Sequence, residues 1–395
     1  MAVAERHEAR LLKTGNPALS TLLRAARFAG RIRRVPKLGW IVTDPVLCRE
    51  ILKNESGFDM VGEGGVGHMW IQLMGEEMTP LFTGTGHVEF RTHVRDLFTE
   101  DSARKLVERS QGACFRSIRE RLAAGETVDI AESARLLSGR LISDLLGLDL
   151  SAEEVTGDPD APYREVFDAG LRLATFALGT ESDTRIPEPV LEEAREIIAF
   201  ITRNVEASYP EADRDSVLGR CRDLGFSVPL ARGIGTLLSV AGTETGSSAM
   251  ARTIALLHDS GQQARLLADP SLIDATVREG LRVTTPAPTI GRHVRKDTLV
   301  AGRTLRAGDR VMLLTYVSNN NPGRFDITRD YLPENRQLWF GAGRHLCLGA
   351  AIARTQVRRM VETLTAAGRP WRVVSRQAAH RVVVPAYESL RVRLD

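Results

Sequence analysis

Phe340-Gly341-Ala342-Gly343-Arg344-His345-Leu346-Cys347-Leu348-Gly349 sets one cysteine in a glycine-bracketed loop, just before a helix-like segment that begins at Ala350. Gly343 and Gly349 permit a tight turn that brings backbone N–H groups near the sulfur. The segment that follows adds the partial positive charge of a helix N-terminus, which favours thiolate over thiol. A thiolate held in this way is a soft, electron-rich axial ligand suited to haem iron. The plainer alternative is a free cysteine buried after a turn.

Around that loop the chain is long enough, at 395 residues with 43% hydrophobic content, to bury a large core. Its 53 basic and 50 acidic residues leave a formal charge of +3, too mild for nucleic-acid binding. Cys48, Cys114, Cys221 and Cys347 lie far apart, with no CxxC pair and no metal-finger spacing, a pattern that suits a reducing cytoplasm. The first residues are charged, and no apolar run approaches the roughly 18 residues that span a bilayer. The expectation is a soluble, monomeric, cytoplasmic protein forming a single domain over 1–395, with no membrane or nucleic-acid partner.

Most of 90–270 carries helical periodicity; Ile234, Leu237, Leu238, Ala241, Thr245 and Ala249, for instance, share one face. Short β-like pieces appear near 38–43, 298–314 and 381–394. The fold class is therefore mainly α, with small peripheral sheets. Within the helix expected over 227–258 lies Ala241-Gly242-Thr243-Glu244-Thr245-Gly246. Two interior glycines each cost about 1 kcal/mol relative to alanine, so something must offset them. One reading is close packing against a neighbouring helix. The other is a locally opened groove in which a threonine hydroxyl no longer bonds its own backbone. Further on, Glu279 and Arg282 stand at i, i+3, within reach of each other on a helix.

These segments, taken in order, resemble the cytochrome P450 family, and in particular its soluble bacterial members. The cysteine loop matches F-G-x-G-x-H-x-C-x-G at every fixed position, and Ala241 to Thr245 matches A-G-x-[D/E]-T. Glu279 to Arg282 matches E-x-x-R, and Pro322-Gly323-Arg324-Phe325 matches P-x-R-F. The likeness runs from about Trp40 to Arg393 and is densest from Ala241 to Arg354. It implies a helical bundle around a buried haem b with Cys347 as the axial ligand of the iron, and O2 as co-substrate. Phe340, Gly341, Gly349 and Ala241 would contact the haem. His87 and Arg91, together with Arg292 and His345, would hold its propionates. Thr245 would bond the bound oxygen and Glu244 would relay protons. Glu279, Arg282 and Arg324 would form a buried structural triad.

Two departures stand out. Gly84-Thr85-Gly86 replaces the usual D-P-P-E ahead of His87. The spacer between the asparagine turn and P-x-R-F is missing at Asn319-Asn320-Asn321-Pro322, and the stretch 326–338 is longer than usual. The partner of Arg324 is therefore open.

The resemblance also places an apolar substrate against Met69, Trp70, Met74, Leu171, Leu237, Leu238, Ala287, Thr289, Ile290 and Val384, with Phe176 nearby. The chain has no flavin or iron–sulfur motif, so electrons would come from a ferredoxin, with NAD(P)H acting only through a ferredoxin reductase. Arg95, Arg104, Lys105, Arg344, Arg354 and Arg358 would form the docking surface. The implied activity is monooxygenation of an apolar small molecule, of the kind that tailors secondary metabolites. Oxidative coupling, ring formation or desaturation without oxygen insertion is the alternative, and a catalytically silent recruitment protein a more distant one.

Overall fold

The computed structural model describes residues 3–150, 157–179 and 186–395, with side chains from 175 to 179 left out; Phe176 lies outside the described side chains. Among the described residues about 61% are helical, in line with the periodicity. Eight helices frame the site. They are α1 (Val3–Gly15), α2 (Gly84–His93), α3 (Glu100–Ala123), α4 (Ile130–Leu146), α5 (Ala161–Gly179), α6 (Val228–Asp259), α7 (Ile273–Thr284) and α8 (Ala350–Thr365).

Helix α6 is the axis of the molecule. Ser227 caps it by accepting from the Leu230 N–H, and Pro229 occupies its first turn. From Thr243 to Leu257 every residue but Thr245 is buried, as expected of a helix packed on all sides rather than an amphipathic surface helix. It packs on α4, α5, α7 and α8. The glycines in it are close-packing devices. A Cβ at Gly242 would stand 2.9 Å from the Ile142 side chain, and one at Gly246 would stand 3.0 Å from Gln356 Oε1. Close approach to α4 and α8 thus offsets their poor helix propensity.

The sheets are small and peripheral. One has the order β1-β2-β8-β5-β3, built from Ile32–Val35, Gly39–Val42, Arg310–Leu313, Ile290–Val294 and Phe58–Asp59. A second joins β4 (Val128–Asp129), β10 (Tyr387–Leu394) and β9 (Trp371–Ala378), and β6 (Thr298–Val300) pairs with β7 (Arg303–Leu305). In the first sheet β2 and β8 run parallel while the other pairs are antiparallel. Of the segment expected to be strand at 381–394, only Tyr387–Leu394 pairs; residues 381–386 instead form a loop lying on α6. No helix among the described residues is long and apolar enough to cross a membrane.

Candidate functional site

The cysteine loop is fixed at both ends. Cys347 N–H donates to the Phe340 carbonyl at 2.9 Å, closing the turn before α8 begins. Gly343 takes φ +73°, and a Cβ there would meet the Leu52 carbonyl oxygen at 2.4 Å. Only glycine satisfies both conditions. Gly343→Ala is expected to destabilise the loop by about 1–3 kcal/mol and to lower the haem content of the purified protein. An unchanged melting temperature and pigment ratio would contradict this.

Cys347 is surrounded by protein yet retains exposed surface, as do Ala241 in the middle of α6 and Ala287 after α7. The sulfur receives the Gly349 N–H and feels Arg91 and Arg354, but burial outweighs them and its thiol pKa is raised. The helix end and the Gly349 N–H thus favour the thiolate, as expected, without outweighing burial. A bound iron would supply the remaining positive charge, since metal coordination deprotonates a thiol outright.

Above the loop five basic side chains converge. His87 and His345 lie with ring centroids 4.3 Å apart. Burial, then neighbouring cations, push His87 down to about 4 and His345 down to about 3. Arg91, Arg344 and Arg292 are the cations that act on them. Arg292 is the most telling of the group. It is 5% exposed, donates to the Gly291 carbonyl at 2.8 Å, and burial lowers its pKa to about 10. Among the described residues no carboxylate forms an ion pair with it. The Nδ1 of His87 is likewise buried without a partner. Buried cationic and donor groups left unpaired are costly, so this cluster is built for an anion. The two propionates of haem would fit it.

Arg91 also ties α2 to the loop by donating to the Leu346 carbonyl at 2.7 Å. Ile290 reaches the loop from β5, with its Cδ1 4.0 Å from a Cβ placed on Gly341.

On α6, Thr245 Oγ1 donates to the Ala241 carbonyl at 2.9 Å. The groove with a released hydroxyl is thus absent: the helix is continuous and the threonine bonds its own backbone. Glu244 faces another way. It is 3% exposed, accepts the Val384 N–H, has its pKa raised to about 8 by burial, and leaves Oε1 unpaired. A carboxyl raised in the fold stays neutral while its unfolded counterpart ionises. Its contribution to stability is therefore fully present below 4.5 and is lost as pH rises toward about 8. Glu244→Gln is expected to flatten the fall of melting temperature over that window; an unchanged profile would refute the assignment.

The triad differs from expectation in one member. Arg282 donates to both oxygens of Glu279, at 2.8 and 2.6 Å, and to the Asn319 carbonyl at 2.6 Å. Arg324 is not part of it: its side chain is 69% exposed and pairs with Glu5 of α1 at 2.8 Å. Arg329 takes the place instead, with Nε 3.1 Å from Glu279 Oε1, while its other nitrogen donates to the Arg324 carbonyl at 2.7 Å. The missing spacer swings position 324 outward, and the longer following stretch returns an arginine five residues later. From there Asn335 donates to Asn319 Oδ1 and its carbonyl accepts the Leu338 N–H, linking the triad to the start of the cysteine loop.

The substrate residues divide. Leu237, Leu238, Met69, Met74, Thr289 and Ile290 are partly exposed, and Ala287 is open. Trp70 at 4% and Val384 at 3% are core residues, and Leu171 lines a separate small cavity beside Glu244. The expected docking cations are mostly engaged: Arg104 and Lys105 with Asp101, Arg344 with Glu55, Arg354 with Glu100, and Arg358 with Asp274. Such pairing leaves little surplus positive charge on that face.

The family model for cytochrome P450 matches residues 255–365. The chain is 27% identical over 327 residues to the putative cytochrome P450 YjiB of Bacillus subtilis, covering 78% of each. It is 28% identical to linalool 8-monooxygenase of Pseudomonas putida, over 79% of this chain and 74% of that one. Among solved structures, P450BioI in complex with an acyl carrier protein superposes with a TM-score of 0.76 at 21% identity, over 98% of this chain and 100% of the other. With the cysteine loop, the basic cluster and the α6 motif all present, the chain is similar to the cytochrome P450 family. The homologues in that family are oxidoreductases of the haem-thiolate monooxygenase class.

Proposed function

We propose that the protein inserts one atom of O2 into an apolar small molecule, with Cys347 as the iron ligand and with His87, Arg91, Arg292 and His345 as the propionate partners. The observation that carries this is the buried Arg292 with no carboxylate partner among the described residues, together with the unpartnered Nδ1 of His87, in a basic cluster that includes His345 of the cysteine loop. Bound haem supplies oxygen activation, which no side chain here can perform. The protein orients substrate and controls protons. Leu237, Leu238, Met69, Met74, Ala287 and Ile290 form an apolar wall with Thr289 as a polar handle, an arrangement suited to a medium-sized hydrophobic molecule. Glu244, neutral at physiological pH, holds a proton at its carboxyl, and Thr245 on the next position carries a partly exposed hydroxyl that donates to the Ala241 carbonyl.

Electrons reach the site from a ferredoxin and its NAD(P)H-dependent reductase, since the chain carries no flavin or iron–sulfur motif. Linalool 8-monooxygenase among the relatives, and structures of P450 EryK with erythromycin B and P450epoK with epothilone B among the fold neighbours, support a tailoring role. The test is a screen of apolar compounds for the low- to high-spin shift of the ferric protein, followed by product mass under reconstituted electron supply. A gain of one oxygen atom is expected; loss of two hydrogens alone would contradict insertion.

A further inference from the structure

Beside Glu244 a cavity of about 110 Å3, whose lining does not include Cys347, lies between α4, α5, α6 and the start of β10. That is room for a few water molecules. Glu244 and Ser247 line it from α6, Asp168 from α5, Arg135 from α4 and Glu388 from β10. Asp168 stands at its exposed end and Glu244 at its buried end. The unpaired Oε1 of Glu244 is the one polar side-chain atom on this lining that is buried without a partner among the described residues. A cavity that is polar at both ends and holds such an orphan favours water over vacancy.

We propose, on the basis of the monooxygenase reading, that this cavity is the inlet through which solvent protons reach Glu244, with Asp168 as its outer proton-carrying group. Glu244 is 3% exposed, and no cation pairs with it among the described residues, so its carboxyl can alternate between neutral and ionised without breaking an ion pair. When Glu244 gives up its proton it is left as a buried carboxylate. A proton passes from the Asp168 carboxyl along the cavity water to Glu244, and bulk water then reprotonates Asp168. One proton enters, no electron moves, and both carboxyls return to their starting state.

The groups facing this path are Asp168 and Arg164 from α5, Arg135 from α4, and Tyr387 and Glu388 from β10. Burial, with Glu388, raises the Asp168 pKa against Arg135 and Arg164, which keeps that carboxyl an effective donor. Arg135 is held by the Tyr387 and Glu388 carbonyls, at 3.4 and 3.0 Å, rather than by Asp168, so the aspartate is left free to exchange protons.

The test is infrared spectroscopy of the haem-loaded protein on transfer to heavy water. The protonated carboxyl band of Glu244 is the one missing in E244Q, and its downshift times the arrival of deuterons. In D168N the exchange is expected to slow by roughly tenfold or more, with D168E restoring it, while haem spectrum and melting temperature stay at wild-type values. Filling the cavity with A251L should slow exchange in the same way with Asp168 intact. Exchange in D168N within about threefold of wild type would overturn the proposal. The two failures separate: a missing thiolate spectrum defeats the monooxygenase reading, whereas unchanged exchange behind a normal thiolate spectrum defeats the inlet alone.

Discussion

Arg329→Ala is expected to yield protein with little or no haem, as is Glu279→Ala, while Arg324→Ala retains the full complement. Glu279 is 3% exposed and Arg282 2%. Glu279 Oε1 accepts from Arg282, Arg329 and the Asp326 N–H. Removing one partner of such a buried pair costs about 3–5 kcal/mol, because the remaining charge is left without compensation. The damage would fall on the network that runs through Asn319 and Asn335 to Leu338, where the cysteine loop begins. Arg324, by contrast, makes an exposed pair with Glu5, and such pairs contribute about 0–1 kcal/mol. The ratio of haem to protein absorbance, with thermal melting alongside, decides the matter. Haem loss in R324A with retention in R329A would reverse the assignment.

The second large effect belongs to α6. Glu244→Gln keeps the shape of the side chain and an acceptor for the Val384 N–H, yet removes the proton. Product formation per electron supplied is expected to fall by roughly 10²–10⁴, the usual contribution of a positioned proton donor. Haem content and the substrate-induced spin shift should stay as in the wild type, because the partner of the Glu244 carboxyl is the Val384 N–H and not a group of the cysteine loop. Thr245→Ala should lower product yield as well, with the Ala241 carbonyl still bonded within the helix. A normal product yield from Glu244→Gln would remove the carboxyl from the reaction.

Much of the site was legible in the sequence because its parts are local. The cysteine loop and the Glu279–Arg282 pair are set by spacings of a few residues, and a helix or turn carries such spacings directly into space. What could not be read depends on contacts between distant segments. The Val384 N–H meets Glu244 across some 140 positions of chain. Arg329 replaces Arg324 because a deletion and an insertion offset each other in a loop, where no periodicity fixes direction. The glycines of α6 allowed two readings, and the choice fell to Ile142 and Gln356 on neighbouring helices. Thr245 followed from that choice, since a helix left continuous keeps its hydroxyl bonded to Ala241. At Cys347 the sequence shows the helix end and the glycine N–H that favour a thiolate, but not the burial that opposes them.

The central claim is that Cys347 binds haem iron through a thiolate. The ultraviolet–visible spectrum of the freshly reduced protein under carbon monoxide tests it most directly. The account predicts the strongly red-shifted Soret band of thiolate ligation in the wild type and its loss in Cys347→Ala. A Soret band at the position of histidine-ligated haem in the freshly reduced wild type, or an unaltered spectrum in the alanine variant, would contradict it.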